Sequence, residues 1–262
     1  ASNDWRARID SAVAVARRSD VAILVAVIEE GEFRDRAFLS LPGHQEELIE
    51  RIAATGKRAV VVLVGGSAIT MSRWLDRVHG VIDAWYPGEV GGRAVADVLF
   101  GDYNPAGRLP ISFPMSEGQL PSYYNHKPTG RGDDYLDLTG QPLFPFGFGL
   151  SFTSFEYANL SIEPTSVRCT VRNTGMRAGD EVVQLYLRDV LASVARPVQE
   201  LKGFARVHLA PGEEGEVAFP ITPDDLRMLD RDMRWVVEPG VFRVMVGGSS
   251  KDIRLRGELV VR

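Results

Sequence analysis

Residues 21–28 read VAILVAVI and residues 59–64 read AVVVLV, and what surrounds these two runs decides the fold. Unbroken aliphatic, β-branched runs of this length predict strands buried on both faces, as in a parallel sheet covered by helices. Before the first run, residues 4–18 place Ile9, Val13 and Ala16 at helical spacing. After it, a loop over 29–41 leads to Pro42, which is expected to open a helix with Glu46 and Glu47 in its first turns and Leu48, Ile49 and Ile52 on one side. The second run closes at Gly65-Gly66; residues 67–78 then predict a short helix, 80–86 (GVIDAWY) a third strand, and 91–100 (GGRAVADVLF) a third helix with Val95, Val98 and Leu99 inward. This alternation implies right-handed crossovers and a parallel sheet. Ligands of such sheets lie beyond the carboxyl ends of the strands, here the loops 29–41, 65–67 and 87–92.

From Asp102 the texture changes. Seven prolines and many glycines fall within 102–150 without a period, which reads as a long irregular connection. Its aromatics (Phe113, Tyr123, Tyr124, Tyr135, Phe144, Phe146 and Phe148) predict that it lies down on a surface. Beyond it the period becomes two. Val167/Cys169/Val171, Val183/Leu185/Leu187, Phe204/Val207/Leu209, Val217/Phe219/Ile221 and Phe242/Val244/Val246 form successive inward sets between polar turns. That pattern predicts an antiparallel sandwich of the immunoglobulin or fibronectin type III kind. The expected organisation is an α/β sandwich domain over 1–115, incomplete at its amino end, a connecting segment over 116–155 and an all-β sandwich over 156–262.

Composition narrows the partners. The 262 residues carry 30 Lys+Arg against 35 Asp+Glu, a net charge of −5 that offers no basic surface for nucleic acid. A single cysteine, Cys169, excludes an internal disulfide. No apolar run approaches the ~20 residues of a membrane span, and the start, ASNDWRARID, has no basic-then-apolar leader. His44, His79, His126 and His208 lack metal-site spacing, so neither a metal nor a cofactor is expected. Ser67 is outside a G-x-S-x-G elbow, Gly88, Gly91 and Gly92 lack a following Lys-Ser/Thr pair, and Arg131-Gly132-Asp133 is too short to carry an adhesion reading.

Six segments in order resemble the C-terminal half of glycoside hydrolase family 3, the family of β-glucosidases and β-xylosidases. They are EGEFRDRAFLSLPGHQEELI (30–49), AWYPGEVGGRAVADVLFGDYNPAGRLPISFP (84–114), PFGFGLSFTSF (145–155), VRNTGMRAGDEVVQLYL (171–187), RPVQELKGF (196–204) and EPGVFRVMVG (238–247). The resemblance implies an α/β sandwich followed by a fibronectin-like domain, and an activity that hydrolyses terminal non-reducing β-D-glucosyl residues with retention. It also implies a preceding (β/α)8-type barrel that carries the aspartate nucleophile and most sugar contacts. No barrel is present in this sequence, so the expectation is that it lies in a separate chain or a missing region and that activity requires it. A periplasmic or secreted location is implied by resemblance alone.

Retention needs two carboxyl groups about 5–5.5 Å apart, one attacking the anomeric carbon and one donating and then removing a proton. The loop after the first strand offers Glu29, Glu30, Glu32 and Asp35. Taken alone, this run reads first as a solvated acidic loop. The resemblance singles out Glu32 as general acid/base, counted back from the Leu-Pro-Gly helix start, with Glu30 as the fallback. Phe33 and Arg34 stand where many relatives have a glycine and one further residue. Asp35 and Arg36 are assigned to loop ordering or to sugar hydroxyls. Trp85 and Tyr86 read either as a sugar-stacking platform or as packing. The alternative to an enzyme is a non-catalytic carbohydrate-binding or protein-interaction module with the same fold.

Overall fold

The computed structural model describes residues 4–130 and 132–262, so Arg131 of the Arg-Gly-Asp tripeptide lies outside the described residues. The chain divides into two compact units. One runs to Tyr103 and takes in Phe113–Leu120; the other comprises Asn104–Ser112 and Pro121–Arg262. No helix among the described residues is long and apolar enough to cross a membrane.

In the first unit, α1 (Trp5–Arg17) is capped by Asp4, whose carboxylate accepts the Ala7 N–H at 3.1 Å, and it buries Ile9, Val13 and Ala16. The sheet consists of β1 (Val21–Val27), β2 (Arg58–Val64) and β3 (Gly80–Asp83), in that order and all parallel. Helix α2 (Gln45–Ala53) makes the crossover from β1 to β2, and α3 (Gly91–Phe100) follows β3. Gln45 fixes where α2 begins: its amide oxygen accepts the Val27 N–H at 2.8 Å and its nitrogen donates to the Val27 carbonyl at 3.0 Å. Those two bonds satisfy the last residue of an edge strand as a neighbouring strand would.

Three expectations are corrected here. First, β1 is not buried on both faces. Leu24 and Ala26 are buried, while Val21, Ile23, Val25 and Val27 form an exposed row. The strand lies at the sheet edge, and α2 packs on its buried side. Second, residues 67–78 form no helix beyond a 3-10 turn at Leu75–Arg77. Ala68, Ile69, Met71 and Trp74 are all buried, a spacing that no single helical face provides, and the Thr70 N–H bonds out of the segment to the Leu39 carbonyl (3.0 Å). Third, α2 begins at Gln45 rather than Pro42, because Gly43 at φ +68° turns the chain first.

The second unit is the expected β-sandwich. Its strands are β4 (Phe155–Glu163), β5 (Ser166–Asn173), β6 (Gly179–Asp189), β7 (Glu200–Leu209), β8 (Glu214–Pro220), the short β9 (Met228–Leu229) and β10 (Trp235–Val236), β11 (Gly240–Gly247) and β12 (Ile253–Val261). Antiparallel sheets of order β12-β11-β6-β7 and β4-β5-β8 enclose Val167, Cys169, Val171, Val183, Leu185, Leu187, Val217, Phe219, Phe242, Val244 and Val246. Buried side chains of this kind contribute roughly 1.5–3 kcal/mol each. Phe204 is the exception among the expected inward residues, at 69% exposed. It has the opposite parity to Val207 and Leu209, and alternation along β7 turns it outward. The irregular segment of this unit does lie down. Tyr124 stacks on Phe146 with ring centroids 4.1 Å apart and meets the edge of Tyr186, while Phe144 stacks on Phe148. Arg108 pairs with buried Glu181 at 2.8 Å, and the Tyr157 hydroxyl donates to the other Glu181 oxygen at 2.6 Å.

Candidate active site

The carboxyl ends of β1, β2 and β3 converge on one side chain, Glu30. Its carboxylate accepts the Gly66 N–H at 2.5 Å, the Ser67 hydroxyl, and the Tyr86 hydroxyl at 2.9 Å, and pairs with Arg36 at 3.3 Å. The loops after all three strands are thereby joined at one anion. Glu30 and Arg36 are well covered, at 17% and 18% side-chain exposure. Burial pushes the Glu30 carboxyl up, but the bonds from Ser67, Gly66 and Tyr86 and the Arg36 charge outweigh it, and the net effect holds it below its ordinary value. The same bond, with burial, raises the Tyr86 phenol. Gly66 is required by this geometry, since a β-carbon there would stand 2.6 Å from the Tyr86 ring.

Arg36 finishes the anchor. Its guanidinium donates to the Ser67 hydroxyl oxygen at 2.7 Å and to the carbonyls of Phe38 and Ser40, both at 3.2 Å. Leu39 is tied separately, its N–H donating to Glu117 at 2.5 Å. Between the fixed points Glu30 and Arg36, residues 31–35 rise as a tight turn. The Arg34 N–H closes it on the Gly31 carbonyl at 3.0 Å, and the Arg34 side chain pairs with Glu29. Phe33 occupies the turn at φ +64°, a left-handed conformation that costs a residue with a β-carbon roughly 1–2 kcal/mol. Its position explains in physical terms why a glycine suits it.

Of the four loop carboxyls, two are thus engaged, Glu29 by Arg34 and Glu30 by its four partners. Glu32 and Asp35 are exposed and make no hydrogen bond or ion pair among the described residues. Asp35 lines a cavity of about 290 Å³ with Glu30, Gly31, Arg34, Arg36 and Ser67. Glu32 sits at the turn beside it, with nothing among the described residues enclosing its carboxyl. An anion held as firmly as Glu30 is a poor proton donor near neutrality.

Two features were not visible in the sequence. Asp83 closes β3 with one oxygen accepting the Trp85 N–H at 3.4 Å and the other buried without a hydrogen-bond partner among the described residues; burial pushes its carboxyl up to about 6. Trp85 itself stands at φ +50° and meets Phe113 edge-on at 6.0 Å. The Trp85 ring thus packs within its own unit, and the Tyr86 hydroxyl serves Glu30.

Comparison with known proteins identifies the family of the chain. Residues 3–152 match the glycosyl hydrolase family 3 C-terminal domain, and residues 181–250 a fibronectin type III-like domain. A periplasmic beta-glucosidase of Salmonella typhimurium is 40% identical over 95% of this chain and 35% of its own length. A beta-xylosidase of Formosa agariphila is 43% identical over 92% of this chain and 35% of its own. The crystal structure of a beta-glucosidase from Listeria innocua in complex with isofagomine superimposes with a TM-score of 0.92 at 35% identity, covering 98% of this chain and 38% of that one. The chain spans about a third of the length of the curated relatives it matches.

Proposed function

The chain belongs to glycosyl hydrolase family 3, and from that premise we propose that it supplies the general acid/base, Glu32, of a retaining β-glucosidase. The nucleophilic aspartate and most sugar contacts would come from a (β/α)8-type barrel outside this sequence, in a separate chain or in a region preceding it. One observation carries the assignment: the loop fixes Glu29 and Glu30 in place and leaves Glu32 free at the turn between its anchors. Glu30, the fallback, is disfavoured because a carboxyl held below its ordinary pKa by four partners suits an anchor.

In the first step the Glu32 acid would donate its proton to the glycosidic oxygen as the aspartate attacks the anomeric carbon, releasing the alcohol and leaving a glucosyl ester. In the second step the Glu32 carboxylate would take a proton from water as that water attacks the anomeric carbon, returning the aspartate and giving a β-configured sugar. A barrel closing over the loop would strip water from Glu32 and set a carboxylate opposite it. Arg36 orders the loop. Asp35, on the wall of the cavity, would meet sugar hydroxyls.

The test is Glu32→Gln in the full-length enzyme. Turnover of a glucoside with a poor leaving group should fall by about 10²–10⁴-fold. Exposure of Glu32 is also what a glycan- or protein-binding module would display, and the same variant separates the two. A module keeps its glycan affinity in Glu32→Gln and shows no turnover in either form.

A further inference from the structure

Phe33 is where the loop is least relaxed. Its backbone holds a conformation that side chains avoid, and its ring is 93% exposed, so nothing among the described residues repays either cost. Strain combined with exposure at one position is the pattern of a residue kept for what it meets from outside. The turn beneath it is closed by the Arg34–Gly31 backbone bond and the Glu29–Arg34 ion pair, so the ring is presented on a braced crest.

The neighbour of Phe33 is Glu32. Under the reading above, which this inference rests on, the Glu32 carboxyl must come within hydrogen-bond reach of the glycosidic oxygen. That oxygen carries the leaving group, and the nucleophile approaches from the far side of the sugar ring. Phe33 directly follows that proton donor in the chain, on the turn that the Arg34–Gly31 bond closes. The geometry points to Phe33 as a specificity-determining residue whose ring stacks on the leaving group and favours β-glucosides with a flat apolar aglycone, such as a benzyl or aryl group. It takes no part in proton transfer.

The experiment compares kcat/KM for benzyl β-D-glucoside and methyl β-D-glucoside, whose departing alcohols have similar acidity, in the full-length enzyme. Wild type, Phe33→Gly and Phe33→Tyr are measured side by side. Glycine is at ease at this φ, so Phe33→Gly removes the ring and keeps the turn. The benzyl-to-methyl ratio should fall by about tenfold in Phe33→Gly, mostly through KM for the benzyl substrate, and return in Phe33→Tyr. A ratio that stays fixed while both values fall together, or that does not move at all, overturns the proposal and makes the ring a protein-packing contact. Glu32→Gln, measured on methyl β-D-glucoside, fails separately: unchanged turnover there removes the acid assignment and leaves the ratio to be judged by itself. A full-length wild type that cleaves neither glucoside removes both.

Discussion

The Tyr86 hydroxyl donates to the Glu30 carboxylate at 2.9 Å, and through this bond the loop after β3 holds the loop after β1. Gly66 and Ser67, from the loop after the intervening strand, complete the knot on the same anion. The loop that carries the proposed proton donor is therefore braced by the sheet itself.

Removing the anion should loosen that brace. Glu30→Gln is expected to cost about 1–3 kcal/mol at pH 7, because Gly66, Ser67, Tyr86 and Arg36 lose a charged partner. The folded state holds the Glu30 carboxyl below its unfolded value near 4.5. Its contribution is thus fully present above about pH 4.5 and is lost as pH falls through the lower folded value. Urea unfolding of wild type and variant at pH 7 and pH 3 checks this: the gap between them should narrow on the acid side.

Asp83 predicts the opposite sign. Its folded value, about 6, lies above its unfolded value of 3.8, so the folded state resists ionisation. Stability from this group is complete below about pH 3.8, declines as pH rises to about 6 and stays reduced above that. Asp83→Asn should raise stability by about 1 kcal/mol at pH 7.5, allowing for screening at a partly open site, and by little at pH 4. A variant that destabilises equally at both values would show that the carboxylate has a partner here.

Cys169 reports on the sandwich core. Burial pushes its thiol up to about 11, and the side chain lies among Val167, Val171 and Val217. It should resist a thiol-specific reagent at pH 8 in the native protein and react at the rate of a free thiol in denaturant. Rapid labelling of the native chain would contradict the assigned strand parity.

The exposed row Val21, Ile23, Val25 and Val27 on an edge strand should make the 262-residue chain self-associate when it is studied alone. Ile23→Lys together with Val25→Lys should suppress association in sedimentation velocity, at a stability cost within roughly 0.5 kcal/mol.

The parallel order of the first unit and, Phe204 apart, the inward sets of the second were legible because period and turn chemistry are local properties. β1 misled because both its faces are apolar in sequence, and a run without polar positions carries no sign of which face is covered. Residues 67–78 misled because Ala68, Ile69, Met71 and Trp74 follow the shape of the core rather than one helical face. The loop acids could be enumerated but not ranked by their environment. What separates Glu30 from Glu32 is bonds to Gly66, Ser67 and Tyr86, residues that only the folded sheet brings together.

The most direct measurement is azide rescue of Glu32→Gln in the full-length enzyme, using an aryl glucoside whose departure needs no proton. With the first step intact and the base gone, azide should accelerate turnover, and the product should be β-D-glucosyl azide. No acceleration, or an azide product of α configuration, would contradict the claim that Glu32 is the acid/base.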